Sequence, residues 1–248
     1  MFAKIIKALR NDVVRPAAPE NLIYAVGDIH GRRDLLERLL GQIEDDAAGR
    51  DAEIIFLGDY IDRGRESRAV VDRLLAFRGH ATLSARFLKG NHEATLLDFL
   101  DDPQVGASWA QFGGLETLVS YGVSLPALTD GTRWDSIQER FTSLLPADHL
   151  AFYTSLELSI ERGCYLFVHA GVDPDLALSG QGEAEYLWIR DAFLNDNRKL
   201  ERIIVHGHTP EDTPVNDGRR IGLDTGAYAT HRLTAARLDH GTVRFLST

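Results

Sequence analysis

Six polar side chains of this 248-residue chain, Asp28, His30, Asp59, Asn91, His169 and His208, are of the kinds that bind divalent cations: carboxylate, amide and imidazole. They stand in short islands: Gly27-Asp28-Ile29-His30-Gly31, Gly58-Asp59-Tyr60-Ile61-Asp62-Arg63-Gly64, Gly90-Asn91-His92-Glu93, His169-Ala170-Gly171 and His206-Gly207-His208-Thr209-Pro210. Each residue has a plainer use. An Asp or Asn after a strand commonly forms a turn or caps a helix, and a lone His there is commonly just hydrogen-bonded. Repetition decides between the readings. A turn needs one Asx or Gly, not Asp-x-His, Asn-His and His-Gly-His in a single chain. Oxygen and nitrogen ligands that converge in this way predict a metal site.

The segments before the islands say how convergence could come about. Leu22-Ile23-Tyr24-Ala25-Val26, Ile54-Ile55-Phe56-Leu57 and the weaker Ala85-Arg86-Phe87-Leu88 are short apolar runs that stop at or near glycine, the pattern of buried strands. Helical spacing over Arg32–Ala48 and Glu66–Phe77 separates them, and strand-helix-strand alternation predicts parallel strands with their carboxyl ends together. After Glu93 the texture turns helical: Ala94–Leu100, Trp109–Tyr121 with Gly113-Gly114 inside, Trp134–Leu145 and Ala147–Thr154. This region, about 95–155, carries none of the six candidate ligands and reads as a cap or insertion within one domain spanning 1–248. From Leu156 strands return. Tyr165-Leu166-Phe167-Val168 leads into His169, Arg202–Val205 into His206, and Arg220–Leu223 into Asp224. Leu233–Leu238 and Thr242–Leu246 flank Asp239-His240-Gly241, a hairpin signal.

Composition narrows the function classes. A hydrophobic content of 44% with 26% charged residues is ordinary for a soluble globular protein. The net charge of -10 argues against sequence-independent nucleic-acid binding, which requires clustered Lys and Arg. The single cysteine, Cys164, excludes an internal disulfide and sits in an apolar run as a buried thiol. Met1–Arg10 is basic and amphipathic but has neither the apolar core nor the cleavage site of a signal peptide, and no run of eighteen apolar residues exists. A cytoplasmic location with no membrane association is expected. His80, His149, His231 and His240 lie in polar or loop surroundings and are expected to be solvated.

In order and spacing, Gly-Asp-x-His-Gly, Gly-Asp-x-x-Asp-Arg-Gly and Gly-Asn-His-Glu resemble the phosphoprotein phosphatase branch of the calcineurin-like metallophosphoesterases. The likeness continues through His169-Ala170, Trp188-Ile189-Arg190, Gly207-His208-Thr209-Pro210 and Leu223-Asp224-Thr225-Gly226-Ala227, and is greatest to the small bacterial and bacteriophage enzymes. It implies an α/β fold of four layers, α/β/β/α, with two metal ions at the strand ends. By matching motif, Asp28 and His30 would hold the first ion, Asp59 would bridge both, and Asn91, His169 and His208 would complete the second. Manganese is the expected metal, with iron or zinc also suited to these donors. Two divalent ions outweigh the carboxylates of Asp28 and Asp59, and a bridging hydroxide still leaves about +1 to attract phosphate. Such ions, ~3.5–4 Å apart, lower the pKa of a shared water and aim it at phosphorus.

The resemblance further implies that His92, oriented and kept protonated by Asp62, gives the leaving alkoxide its proton, and that Arg63 and Arg190 clamp phosphoryl oxygens. Lys89 stands where many relatives have Arg, keeping charge and losing the fork, and a weaker or differently shaped phosphate contact is expected there. His206 is expected to be structural or to support a ligand, and Asp224 either orients a ligating His or closes a turn with Gly226. The stretch Tyr228–Arg232 departs from the glycine-rich form of relatives, which leaves a substrate contact from Tyr228 open. The implied activity is serine/threonine phosphatase action on phosphorylated proteins or peptides, with no further obligate partner. The rival is symmetrical hydrolysis of diadenosine tetraphosphate, whose enzymes usually lack the aspartate found here as Asp62 and carry Asp in place of Glu93. Gly-His-x-His nucleases and phosphodiesterases would need a histidine at Pro210. A non-catalytic scaffold that binds phosphorylated partners would be expected to have lost a ligand or the acid, and none is missing.

Overall fold

The computed structural model describes residues 14–124 and 133–248; the basic Met1–Arg10 stretch lies outside the described residues. Among the described residues ten strands form two five-stranded sheets. β1 (Leu22–Val26), β2 (Ala52–Phe56) and β3 (Leu83–Phe87) run parallel and adjacent, and β9 (Thr234–Asp239) and β10 (Thr242–Ser247) extend the sheet beyond β1 in antiparallel pairing. In the second sheet β5 (Tyr165–Val168), β6 (Ile203–His206) and β8 (Arg220–Gly222) are parallel, with β4 (Ser159–Arg162) and β7 (Val215–Asn216) as short antiparallel edges.

Alternation along the strands builds the layers. Leu22, Tyr24 and Val26 face helices, whereas Ile23 and Ala25 face the second sheet, because successive side chains of a strand point to opposite faces. Tyr165 and Phe167 meet them from β5, while Leu166 and Val168 turn outward to Tyr186 and Phe193. Both faces are thus buried, which is why these strands read as unbroken apolar runs. β3 reads weaker because it is an edge. Its Arg86 pairs with Glu157, and Glu157 covers the edge by accepting from Lys89 N and donating to Phe87 O.

Helices α1 (Arg33–Ala47) and α2 (Ser67–Phe77) cover the first sheet, followed by α3 (Asn91–Asp101), α4 (Gly106–Gln111), α5 (Gly114–Ser120), α6 (Trp134–Leu144) and α7 (Ala147–Thr154). The expected continuous helix over Trp109–Tyr121 is two, broken at Gly113, whose φ of +103° is open to glycine. On the far side lie α8 (Glu183–Trp188) and α9 (Asp191–Leu194), and α10 (Ala227–Thr230) follows β8. Helices, two sheets and helices make the four layers that the family resemblance implies. His240-Gly241 closes the expected hairpin in two residues of positive φ, the geometry that suits the twist of paired strands. No described helix is long and apolar enough to cross a membrane.

The helices of the 95–155 segment put Trp109, Leu118, Tyr121, Phe141, Phe152 and Tyr153 into the same core as Phe56 and Phe87. His149 is therefore a correction: it is buried, with Nδ1 at 2.7 Å from Tyr121 Oη and Nε2 at 2.9 Å from Asp72 Oδ1. Its neighbours in sequence are polar, but it lies three and four positions before Phe152 and Tyr153, on the face that α7 turns inward. His231 and His240 are exposed, and His80 is half-buried against the backbone of Thr82 and Leu83. Cys164 is a free, buried thiol. Because the segment shares one core with the sheet, Phe141→Ala is expected to cost about 3–5 kcal/mol. Far- and near-ultraviolet dichroism should still lose signal in one coincident denaturant transition; two separate transitions would refute the shared core.

Candidate metal centre

The islands meet at the carboxyl ends of β1, β2, β3, β5, β6 and β8, and the backbone ties them together before any side chain does. Ile29 N and His30 N both donate to Asp59 O, and Gly31 N donates to Tyr60 O. The Glu93 carboxylate then accepts from the N–H groups of Asp59, Tyr60 and Gly90 at 2.8–2.9 Å, fastening the second island to the third. Burial, with Asp59 nearby, pushes Glu93 up to about 8, while the backbone N–H groups of Tyr60 and Asp59 favour its charged form. Two glycines allow the close approach. A Cβ at Gly207 would lie 1.9 Å from Asp28 Oδ1, and one at Gly90 would lie 2.1 Å from Asp59 Oδ1. Five non-glycine residues of the site, His30, Asp59, Asp62, Arg63 and His208, have φ between +46° and +70°, a costly backbone that packing must enforce.

Two trios of ligand-type atoms share Asp59. His30, Asp59 and His92 form one, Asp59, His169 and His208 the other, each with its atoms within 4.8 Å of one another and all residues buried. Tautomers are set by the backbone. His30 Nδ1 donates to Ile61 O at 2.8 Å and His169 Nδ1 to Leu57 O at 2.8 Å, which leaves a lone pair on each Nε2. His169 Nε2 then faces Asn91 Oδ1 at 2.9 Å, His208 Nδ1 at 3.2 Å and Asp59 Oδ1 at 3.4 Å. Among the described residues His30 Nε2 has no hydrogen-bond partner, and it lies 3.5 Å from Asp59 Oδ2. Lone pairs that face one another in a dry interior fit a cation between them. Burial pushes His30 down to about 3 and His208 to about 2, so both imidazoles are neutral, the ligating form. Against the cost of its burial, Asp59 is held below the usual carboxylate range by the surrounding imidazoles, of which His92 is the one pushed toward its charged form.

Asp28, expected beside His30, belongs to neither trio. Its carboxylate accepts from His208 N at 3.0 and 3.2 Å, and burial, with Asp224 and Asp59 nearby, raises it well above the usual range. A cation is the partner that this group of carboxylates calls for. Asp224 accepts from Gly226 N at 2.9 Å and so closes a turn; no hydrogen bond joins it to a candidate His ligand. His206 is buried against Phe193 and bonds Gly207 O, away from the trios.

Around the trios stand the other expected residues. His92 Nδ1 is 2.6 Å from Asp62 Oδ2, and its Nε2 lies 3.3 Å from Arg63 Nη2 and 3.8 Å from Asp59 Oδ2. Burial opposes charge on His92, but Asp59 and Asp62 push it up to about 9. Arg190 donates to His208 O and Thr209 Oγ1. Arg63, Asn91, His92 and Arg190 line a hollow of about 310 Å³ with Phe112 and Trp188, both more than half exposed, on its wall. Tyr228 packs its ring under the Arg63 guanidinium at 4.7 Å and edge-on to His30. Lys89 Nζ donates instead to Glu183 at 3.1 Å, outside the lining of that hollow.

A two-sheet sandwich whose strand ends gather imidazoles, carboxylates and an amide beside two arginines defines a metal-dependent phosphate-ester hydrolase. The chain belongs to the calcineurin-like phosphoesterase family, which it matches over residues 22–241. It is 30% identical over 220 residues to serine/threonine-protein phosphatase 2 of Escherichia coli, covering 86% of this chain and 90% of that one. It is 27% identical over 238 residues to the asymmetrical bis(5'-nucleosyl)-tetraphosphatase PrpE of Geobacillus thermodenitrificans, covering 87% and 89%. A cold-active protein tyrosine phosphatase superposes with a TM-score of 0.60 at 17% identity, over 96% of this chain and 83% of that one. The protein is a metallophosphatase, and its family chemistry uses divalent metal ions.

Proposed function

We propose that this chain is a serine/threonine protein phosphatase that uses two divalent ions, manganese foremost, and acts on phosphorylated proteins or peptides in the cytoplasm of a bacterium. The observation that carries the reading is the Asp62–His92 pair, 2.6 Å apart, buried, and aimed past Arg63 at Asp59. Asp28, His30 and Asp59 would hold one ion, and Asp59, Asn91, His169 and His208 the other. When bound, the ions supply an activated water and neutralise phosphoryl charge. The remaining work falls to the chain. Arg63 has no carboxylate within ion-pair distance among the described residues, so its donors are free for phosphoryl oxygens, with Tyr228 beneath to fix its plane. Arg190 approaches from beside His208. Lys89, held by Glu183, would act at the margin. His92 gives its Nε2 proton to the departing alkoxide while Asp62 holds the opposite nitrogen. A serine alkoxide is a poor leaving group, and such an acid contributes typically ~10²–10⁴-fold.

Hydrolysis of dinucleoside tetraphosphates is the second reading, favoured by the likeness to PrpE. A nucleotide leaving group needs less protonation, so the acid pair speaks for the first. Turnover of a phosphoserine peptide and of diadenosine tetraphosphate should be compared at equal enzyme with Mn²⁺. The peptide is expected to have the higher kcat/KM; a clear preference for the dinucleotide would overturn the assignment. Absence of turnover on p-nitrophenyl phosphate as well would point to a scaffold that binds phosphorylated partners.

A further inference from the structure

The helical segment bears none of the candidate ligands, yet it reaches the acid pair. Asp62 Oδ2 accepts from Trp109 Nε1 at 2.7 Å as well as from His92 Nδ1, and Oδ1 accepts from Thr117 Oγ1 at 2.6 Å. The Thr117 hydroxyl also accepts from Asp62 N at 2.9 Å, so it grips the residue at two points. Asp62 is wholly buried. Its carboxylate cannot rotate without stranding donors in a dry interior, where each unmade bond is expensive. Trp109 lies in α4 and Thr117 in α5, and the Gly113-Gly114 corner between these helices is packed against the site. Gly113 O accepts from Arg63 N at 3.2 Å, and a Cβ at Gly113 would come within 2.5 Å of that same nitrogen. A Cβ at Gly114 would come within 2.5 Å of the Trp109 indole. One corner thus fixes the carboxylate from one side and the backbone of the adjacent arginine from the other.

We propose that Trp109 and Thr117 are positioning residues, which hold the Asp62 carboxylate in the one orientation that keeps His92 aimed at the departing oxygen. This rests on the acid role given to His92 above. Packing alone would also place an indole here, since Trp109 lies against Phe99 and Phe141, but packing does not require its N–H or the Thr117 hydroxyl. Trp109→Phe keeps a ring and removes the N–H; Thr117→Val keeps the volume and removes the hydroxyl.

Full-length protein loaded with Mn²⁺ serves for the kinetic test. Each variant is expected to lower kcat on a phosphoserine peptide about tenfold with KM within about twofold, and to change p-nitrophenyl phosphate turnover less than about threefold, since a charge-assisted hydrogen bond is lost only where the acid is needed. A second readout needs no metal: the proton on His92 Nδ1, assigned by its loss in His92→Asn, should give a downfield resonance that shifts or broadens in both variants. Equal losses on the two substrates, or an unmoved His92 resonance with full activity, would overturn the positioning role. Asp62→Asn is the reference. Leaving-group discrimination in Asp62→Asn but in neither variant defeats the positioning role alone. Absence of discrimination in Asp62→Asn defeats the acid role and this inference with it. Should Trp109→Phe not fold, Thr117→Val, which disturbs no packing volume, decides.

Discussion

Asp59→Asn is expected to reduce phosphate-ester turnover by at least about 10³-fold and to leave the purified protein unable to retain a pair of ions, because the only carboxylate common to both trios loses its charge. Asn matches Asp in size, and the Asp59 backbone bonds to Ile29, His30 and Glu93 do not involve its side chain, so the fold should persist. Metal content after gel filtration in Mn²⁺, together with a thermal melt, separates loss of ions from loss of structure. Two ions per chain in a folded Asp59→Asn would contradict the shared-ligand arrangement. His169→Ala would be a weaker test, since it leaves Asp59, Asn91 and His208 in place.

The next largest effect is expected from His92→Asn. Loss of the acid should slow hydrolysis of a phosphoserine peptide by about 10²–10⁴-fold, whereas an aryl phosphate, whose phenolate departs without help, should lose less than about tenfold. The comparison is made on kcat at saturating substrate, because a change in phosphate binding would enter KM for both substrates alike. Asp62→Asn should show the same discrimination to a smaller degree. Equal losses for both substrates would mean that His92 serves as a ligand of the first trio, where its Nε2 already stands 3.8 Å from Asp59.

Much of the architecture could be read from the chain because strands covered on both faces advertise themselves. Ile54-Ile55-Phe56-Leu57 has no polar face to confuse with a helix, and Asp59 follows it after the single residue Gly58. The edges were harder. Ser159–Arg162 has a single buried apolar residue, Ile160, followed by the charged pair Glu161-Arg162, and Val215–Asn216 is a pair too short to show any period. Position in sequence also failed to reveal which polar groups meet across the fold. Glu93 is legible as the end of an island, but its grip on the backbone N–H groups of Asp59, Tyr60 and Ile61 in another loop is a tertiary fact. The hydrogen bonds of Trp109 and Thr117 to Asp62 are tertiary facts of the same kind. Gly113-Gly114 was the one local hint, since two glycines inside an apolar helical pattern often mark a close approach. For His149 the local signal of burial is its spacing from Phe152 and Tyr153. For Lys89 no local feature announced the carboxylate of Glu183, ninety-four positions away.

The placement of β9 has a bearing on when the enzyme can first work. This strand, near the distal end of the chain, pairs with β1 from Ile23 to Val26, and Thr234 O receives the N–H of Gly27, one residue before Asp28. Until residues around 234–238 have left the ribosome, the loop that bears Asp28 and His30 has no wall on that side, and His208 has only recently emerged. Completion of the loop that bears Asp28 and His30 is thereby tied to closure of the first sheet by a strand distant in sequence.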